Sequence, residues 1–218
     1  MRPFELVIFD CDGVLVDSER ITNLVFAELL AELGLHFTLD DMFEHFVGLS
    51  MPQCLEKIHG YLGRPPPDDF VSRYVVRRDE ALKARLTPIP GIEAALDALS
   101  LPFCVASSGA HEKMRLTLGL TGLWRRFEGR IFSTADVAKP KPAPDVFLYA
   151  ARTLGAPPAA CVVIEDSPTG VSAAVAAGMT VLGYSALMPA ARLKAAGAHH
   201  CFDAMLALPG LIELGARP

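Results

Sequence analysis

The sequence predicts an α/β protein whose core is a doubly wound parallel sheet with an α-helical cap subdomain inserted into it. Two observations predict this fold class. From residue 103 onward, short apolar runs typical of buried strands alternate with helical patterns, as expected for a parallel sheet covered by helices. Residues 17–86 carry little strand signal, and a segment of this length is too long for an ordinary loop. We therefore assign residues 1–16 and 87–218 to the core domain and residues 17–86 to the helical cap domain.

The first strand is predicted at Leu6–Phe9, and two acidic residues follow it directly. Asp10 and Asp12 are two positions apart, so within a strand they would share one face and repel each other where burial is least tolerable. At the carboxyl end of a parallel strand they would instead face the crevice in which α/β proteins bind ligands. Gly13 then permits a sharp turn. A plain surface turn is the alternative, since Asp12-Gly13 by itself would favour a hairpin.

The cap is predicted to consist of four helices. The first has a single apolar face and ends at Gly34, and the second begins at a capping box formed by Thr38 and Asp41. The third begins at Ser50. Three consecutive prolines at positions 65–67 then separate it from a longer fourth helix.

Five further strands and four helices are predicted after the cap. The strands lie at residues 103–106, 130–132, 161–164, 180–182 and 200–202. The helices lie at about residues 111–118, 145–154, 169–177 and 189–196, and glycines that can end them stand at positions 119, 155, 178 and 197. Because strands and helices alternate in this way, the strands are predicted to run parallel.

Polar residues also stand at the ends of the later strands. Ser107 follows the second strand, Lys141 lies between the third strand and its helix, and Glu165 and Asp166 follow the fourth. A parallel sheet brings such ends to one edge. Carboxylates there would bind Mg²⁺, a lysine and a hydroxyl would hold phosphate oxygens, and one carboxylate could act as a covalent nucleophile. This combination suits phosphoryl transfer. Lys139 competes with Lys141 for the phosphate, but the Lys-Pro-Ala-Pro-Asp pattern begins at Lys141.

Composition and charge argue against several other classes of protein. The net charge is −5 and the 20 basic residues form no run, which argues against nucleic acid and anionic membranes as partners. The five cysteines include no C-x-x-C pair, so neither a disulfide framework nor a zinc site is expected. The N-terminus lacks the apolar core of a signal peptide, and no stretch approaches the ~20 apolar residues of a membrane span. A soluble cytoplasmic protein is therefore expected.

Taken in order, the four polar clusters resemble the motifs of the haloacid dehalogenase-like (HAD) superfamily. The likeness is to its phosphatases with a helical cap after the first motif, in the group of β-phosphoglucomutase and 6-phosphogluconate phosphatase. The motifs are Asp10-Cys11-Asp12-Gly13-Val14-Leu15-Val16-Asp17-Ser18-Glu19, Ala106-Ser107-Ser108-Gly109, Lys141-Pro142-Ala143-Pro144-Asp145 and Glu165-Asp166-Ser167-Pro168-Thr169-Gly170. The resemblance covers nearly the whole chain and implies a Rossmann-like core.

The resemblance also implies a role for each cluster. Asp10 would be the nucleophile, and Asp12 would protonate the leaving oxygen and then activate water. Ser107 and Lys141 would hold the phosphoryl group. The Mg²⁺ ligands would be Asp10, the backbone carbonyl of Asp12 and Asp166, with Glu165 in support. The expected activity is Mg²⁺-dependent hydrolysis of small phosphate monoesters, such as sugar or sugar-acid phosphates, through an aspartyl-phosphate.

The substrate is expected to be a small phosphorylated metabolite, and its contacts are less defined. Ser108 and Gly109 would offer backbone donors to the phosphate, although Ser107 and Ser108 could exchange roles. The segment from residue 99 to residue 145 looks most like the 6-phosphogluconate phosphatases of this group. The candidate selectivity positions, which could instead line the domain interface, are Thr22, Gly48, Ser50, Gln53, His111 and Lys113. The oligomeric state is not readable from the sequence, and a monomer is favoured.

Two alternative functions remain open at this stage. A phosphosugar mutase of the β-phosphoglucomutase type would share all four core motifs, but members of that group carry a cap histidine and a basic residue where this chain has Thr22 and Met51. A receiver-like signalling domain with a long-lived phospho-aspartate also places acids, a hydroxyl and a lysine at parallel strand ends. The cap insertion and the second acid at Asp12 argue against that reading.

Overall fold

The computed structural model describes residues 4–47 and 49–215, which fall into two units. The larger unit contains the residues up to Asp17 and those from Thr87 onward, and the smaller unit contains Ser18–Leu86. The smaller unit therefore begins one residue later than the predicted cap. Asp17 belongs with the larger unit, in which its backbone N–H donates to the carbonyl of Thr87 at 3.0 Å.

Within the described residues, the larger unit contains one parallel sheet of six strands. These are β1 (Leu6–Phe9), β2 (Phe103–Ser107), β3 (Ile131–Ser133), β4 (Cys161–Glu165), β5 (Thr180–Tyr184) and β6 (His200–Phe202). Their order across the sheet is β3-β2-β1-β4-β5-β6, and each neighbouring pair is parallel. The chain builds outward from β1 to β3 and then returns to the other side of β1. This is the doubly wound, Rossmann-like order that the sequence predicted.

The centre of the sheet is apolar on both faces. All four residues of β1 and all five of β4 are buried, as expected for parallel strands covered by helices on each side. In register, Phe9 of β1 pairs with Val105 of β2 and with Ile164 of β4. Asp10 and Glu165 therefore follow paired residues on adjacent strands, at the point where the strand order reverses.

The helices follow the predicted alternation. In chain order they are α1 (Glu19–Glu32), α2 (Leu39–His45), α3 (Met51–Leu62), α4 (Phe70–Arg85), α5 (Ile92–Ala98), α6 (His111–Leu120), α7 (Trp124–Phe127), α8 (Asp145–Thr153), α9 (Pro168–Ala176), α10 (Ala190–Ala195) and α11 (Leu208–Glu213). The sequence prediction missed the short helices α5, α7 and α11. Gly119 was wrongly predicted to end a helix; it lies within α6, and the positive φ falls at Gly122.

The smaller unit consists of α1 to α4 around an aromatic core of its own. Phe26 packs edge-to-face against Phe46 and Phe70, with ring centroids 5.5 and 5.6 Å apart, an arrangement that suits the aromatic quadrupole. The predicted capping box is present at the start of α2, where Asp41 accepts from Thr38 N at 2.7 Å. The helical character of residues 17–86 is thus as expected from the sequence.

Two features predicted from composition can also be compared with the structure. All five cysteines are free. In the described residues, no helix combines the length and the apolar character that crossing a membrane requires.

Candidate active site

The side chain of Lys141 connects the ends of three neighbouring strands. Its Nζ donates to Asp10 Oδ1 at 2.7 Å, to Glu165 Oε1 at 2.7 Å and to the carbonyl of Ala106 at 3.1 Å. It also lies 4.7 Å from the centre of the Phe147 ring. Only 4% of the Lys141 side chain is exposed. Its three N–H donors are thereby directed to acceptors after β1, on β2 and on β4, which fixes the ammonium at the carboxyl edge of the sheet.

Burial and charge together set the protonation behaviour of this cluster. Burial, opposed by the adjacent Lys141 and reinforced by the Glu165 carboxylate, raises the pKa of Asp10 to about 7. Burial alone would lower the pKa of Lys141, but the carboxylates of Asp10 and Glu165 outweigh it and hold that pKa above its usual value. The lysine therefore stays charged at neutral pH.

Glu165 has both carboxylate oxygens engaged within the protein. Oε1 accepts from Lys141, while Oε2 accepts from Ser167 N at 3.0 Å and from Ser167 Oγ at 2.9 Å. Ser167 in turn caps α9, because its Oγ accepts from Gly170 N at 3.0 Å. The side chain of Glu165 is 1% exposed. The geometry suits a group that positions Lys141 and the start of α9.

The first and fourth motifs meet at Gly13 and Asp166. Gly13 has φ of +76°, and a Cβ atom at this position would lie 1.9 Å from Asp166 Oδ2. Only glycine tolerates both this backbone conformation and this close approach. Asp10 and Asp166 are both buried. The turn after β1 therefore lies directly against the carboxylate that follows β4.

The loop after β2 forms another side of the site. Ser107 is buried and its Oγ accepts from Gly109 N at 3.2 Å, while Ser108 is exposed. Ser133 Oγ donates to the carbonyl of Gly109 at 2.7 Å, which ties the loop to the end of β3. A Cβ atom at Gly109 would lie 3.7 Å from Asp12 Oδ2. The loop thus passes close to the second acid of the first motif.

The carboxylate of Asp12 has a partner that the sequence prediction did not assign to it. Lys113 Nζ, from the first turn of α6, donates to Asp12 Oδ2 at 2.7 Å. Lys113 was named in the sequence only as a selectivity candidate. No local pattern could have paired two residues 101 positions apart, because their contact depends on how α6 packs in the folded chain.

The other selectivity candidates make contacts within their own units. His111 Nε2 lies 2.9 Å from Asp136 Oδ1, and Thr22 Oγ1 donates to the carbonyl of Glu19 at 3.1 Å. Ser50 N and Oγ each donate to Gln53 Oε1 at 2.8 Å, which is helix capping at the start of α3. Gly48 lies outside the described residues. These contacts give the four described candidates structural roles, and their contacts with a substrate stay predictions.

Acidic groups outnumber basic groups along this edge. The acids Asp10, Asp12, Glu165 and Asp166 are accompanied by the two ammonium groups of Lys113 and Lys141. Burial, followed by the carboxylates of Asp17, Asp203 and Asp166, raises the pKa of Tyr184, so negative charge extends further along the rim. Among residues 4–47 and 49–215, Asp17 Oδ1 is a buried oxygen without a hydrogen-bond partner.

This excess of negative charge suits a bound cation. Within the part of the chain that the structure describes, no three His, Cys, Asp or Glu side chains form a ready-made metal cluster. The metal ligands expected from the sequence do not require a cluster of three such side chains. They combine the carboxylates of Asp10 and Asp166 with the backbone carbonyl of Asp12. Hard oxygen donors of this kind are those that Mg²⁺ prefers, and Mg²⁺ keeps several waters in such sites. The residues present therefore fit a magnesium ion.

Comparison with known proteins places this site in a family. The family model described as haloacid dehalogenase-like hydrolase matches residues 7–184. The chain belongs to the haloacid dehalogenase-like hydrolases. The matched range contains all four polar clusters and the complete helical unit.

Two curated HAD-like relatives have comparable similarity to this chain. A 6-phosphogluconate phosphatase from Escherichia coli is 30% identical over 189 residues, which cover 85% of each chain. A β-phosphoglucomutase from Bacillus subtilis is 32% identical over 189 residues, which cover 81% of each chain. The relatives therefore include both a phosphatase and a mutase.

Solved structures agree with the HAD-like fold. A haloacid dehalogenase-like protein of unknown function from Agrobacterium tumefaciens superposes with a TM-score of 0.91 at 34% identity, covering 98% of this chain and 100% of that chain. A HAD family hydrolase from Deinococcus radiodurans, with bound phosphate and sodium, superposes with a TM-score of 0.82 at 34% identity, covering 97% and 98%.

Proposed function

We propose that this HAD-like hydrolase is a Mg²⁺-dependent phosphatase of small phosphate monoesters, such as sugar or sugar-acid phosphates, that acts through an aspartyl-phosphate on Asp10. The observation that carries the proposal is the position of Lys141, which donates to both Asp10 and Glu165 at 2.7 Å. A nucleophilic carboxylate and a phosphate-binding ammonium need this proximity. The 6-phosphogluconate phosphatase relative and the phosphate-bound neighbour support the substrate class.

In this proposal, the protein's own residues divide the chemistry among them. Asp10 attacks phosphorus, and the bond between phosphorus and the leaving oxygen breaks as Asp12 gives that oxygen a proton. Asp12 then takes a proton from water, which attacks phosphorus and releases phosphate from Asp10. Lys141 and Ser107, with the N–H groups of Ser108 and Gly109, would hold the phosphoryl oxygens. To do so, Lys141 and the Gly109 N–H would exchange their present bonds, to Asp10 and to Ser107 Oγ, for bonds to the phosphoryl group.

Magnesium would be held by Asp10, the backbone carbonyl of Asp12 and Asp166. When bound, it would neutralise charge on the phosphate and on the acids around it. Glu165 was expected among the metal residues, and its two oxygens are engaged with Lys141 and Ser167. We therefore assign Glu165 a positioning role beside the metal site.

A phosphosugar mutase is the second candidate, because a β-phosphoglucomutase is a relative at 32% identity. A mutase needs a phosphoenzyme that resists water until a sugar phosphate arrives. Thr22 stands where the mutase group carries its cap histidine, and its hydroxyl is bonded to the carbonyl of Glu19. Met51 likewise stands where that group has a basic residue. The phosphatase is therefore preferred.

The test is phosphate release from p-nitrophenyl phosphate and from a panel of sugar and sugar-acid phosphates, with Mg²⁺ and with EDTA. Turnover should require Mg²⁺, and Asp10→Asn should lower it by at least ~10³-fold, on the order seen when a covalent nucleophile is removed. Asp97→Asn, an exposed acid paired with Arg126, is the matched control and should keep full activity.

Other outcomes would assign the chain differently. Full turnover by Asp10→Asn would contradict the aspartyl-phosphate. Turnover that appears only as isomerisation of a sugar phosphate with a bisphosphate activator would favour the mutase. Incorporation of one phosphate per chain from a small phosphodonor without turnover would favour a receiver-like switch.

A further inference from the structure

The ion pair between Lys113 and Asp12 joins a surface helix to an acid of the first motif. Lys113 Nζ lies 2.7 Å from Asp12 Oδ2, with side chains that are 22% and 20% exposed. The pair is therefore partly shielded from water, so it is less screened than a fully exposed ion pair. The bond is made to Oδ2 of the Asp12 carboxylate.

The position of Lys113 is set by the packing of α6. Met114, the next residue, is buried and lies beside the Gly109 turn, where its Cγ would be 3.6 Å from a Cβ at position 109. One turn further on, buried Thr117 donates its hydroxyl to the carbonyl of Lys113 at 3.1 Å. The packing of Met114 against the Gly109 turn thus holds the first turn of α6, and with it the ammonium of Lys113, near Asp12.

The same loop constrains Asp12 from the other side. A Cβ atom at Gly109 would be 3.7 Å from Asp12 Oδ2 and 3.6 Å from Ser107 Oγ, so the carboxylate lies against the turn that follows β2. Oδ2 is thus the oxygen that faces the loop and Lys113. Rotation of the carboxylate would break the bond to Lys113.

We infer that Lys113 is a positioning residue that holds the carboxylate of Asp12 in the orientation from which it exchanges a proton with the leaving oxygen and with water. The inference rests on the proposed function, in which Asp12 is the general acid and base. The proton moves from the Asp12 carboxyl group to the leaving oxygen as the P–O bond breaks, and a proton from the attacking water later returns to Asp12. Lys113 keeps its own proton throughout, so the proton balance closes on Asp12.

A selectivity role, as expected from the sequence, makes a different prediction for the same lysine. A residue that contacts the substrate's leaving group would change KM according to the shape and charge of that group. A residue that orients the general acid would change the rate according to how much the leaving oxygen needs a proton. Two aryl phosphates of similar shape separate these possibilities, because p-nitrophenolate leaves readily without protonation and phenolate does not.

The experiment measures kcat and KM of Lys113→Met on p-nitrophenyl phosphate and on phenyl phosphate. The ratio kcat/KM reports the steps up to the phosphoenzyme. For phenyl phosphate it should fall by about 10-fold or more, and for p-nitrophenyl phosphate by less than about 3-fold. For p-nitrophenyl phosphate, kcat and KM should fall together, because hydrolysis of the phosphoenzyme is slowed.

Two control variants accompany this measurement. Lys113→Arg should restore most of the loss in kcat/KM. Lys194→Met, which removes an exposed lysine of α10, should leave kcat/KM unchanged for both substrates.

The outcomes separate this inference from the function on which it rests. Equal losses on both substrates, or none, in a Lys113→Met protein with wild-type thermal stability would overturn the positioning role and leave the phosphatase intact. If Lys113→Met unfolds, the same two measurements on Lys113→Gln decide, since equal losses on both substrates, or none, would overturn the role there as well. A wild-type protein with no phosphatase activity would refute both proposals.

Discussion

Gly170 lies directly against the carboxylate of Glu165: a Cβ atom at position 170 would be 1.7 Å from Glu165 Oε1. The same oxygen accepts the hydrogen bond from Lys141 at 2.7 Å. Since 1.7 Å is far inside van der Waals contact, the absence of a side chain in α9 is what allows Glu165 to reach Lys141. The first turn of this helix thus participates in arranging the site.

Replacing Gly170 by alanine should therefore lower activity through Glu165. The methyl group would push the carboxylate away from Lys141 and from Ser167, so we expect a loss of kcat/KM on the order of 10-fold or more, as is typical when a positioned catalytic group shifts by about 1 Å. The matched control is Gly119→Ala in α6, where nothing lies within 4 Å of the new Cβ atom. That control should keep full activity and gain about 0.5–1 kcal/mol of stability in urea unfolding. Wild-type activity of Gly170→Ala would contradict the inferred arrangement.

Gly13→Ala should abolish activity, whereas Gly34→Ala should affect stability alone. Both glycines have positive φ, at +76° and +86°, but only Gly13 has a neighbour, Asp166, in the space that a Cβ would occupy. The backbone conformation costs each alanine variant about 1–2 kcal/mol in the free energy of unfolding. Phosphatase assays beside urea titrations of both variants provide the measurement. A Gly34→Ala protein as inactive as Gly13→Ala would show that backbone strain, not contact with Asp166, causes the loss.

Lys141→Met should inactivate and destabilise the protein, while Lys139→Met should do neither. Removing the ammonium leaves the buried carboxylates of Asp10 and Glu165 close together without a compensating charge, which costs about 3–5 kcal/mol when one partner of a buried pair is lost. Lys139 is exposed, so its removal tests the competing assignment made from the sequence. Denaturant unfolding and turnover with p-nitrophenyl phosphate measure the two effects. Retained activity in Lys141→Met would transfer the phosphate-binding role to another residue.

Asp136 should contribute stability that is lost in acid. Partial burial would raise the pKa of Asp136, but the hydrogen bond from Ser133 N and the pairing with His111 outweigh it and lower that pKa below 3.8. Because the folded-state pKa is depressed, the stabilisation is present above the unfolded-state value and disappears as the pH falls through the folded-state value. Asp136→Asn should thus be less stable than wild type at neutral pH by up to about 1 kcal/mol.

The pH dependence of that difference is the informative measurement. Urea unfolding of both proteins from neutral pH into the acid range should show the two stabilities converging as Asp136 becomes protonated. His111→Gln, which removes the imidazole partner of Asp136 but keeps the bond from Ser133 N, should show a smaller difference at neutral pH. A difference that is constant with pH would mean that the carboxylate charge is not involved.

The sequence by itself determined the six strands, most of the helices and their order along the chain. Leu6–Phe9 and the later apolar runs were predicted as strands because burial on both faces of a parallel sheet demands continuous apolar residues, a local property that can be counted along the chain. The local sequence likewise shows that the polar clusters stand just after those runs. Since parallel strands end at a common edge, the convergence of Asp10, Ser107 and Glu165 followed from order alone.

Only the tertiary structure decided which side chain contacts which. Lys113 and Asp12 are 101 positions apart, and Lys141 and Asp10 are 131 positions apart. Strand and helix patterns repeat within a few residues, whereas a side-chain pair depends on the packing of whole elements to within about 1 Å. For this reason the sequence indicated the kind of site, and the fold determined how its acids and lysines are paired.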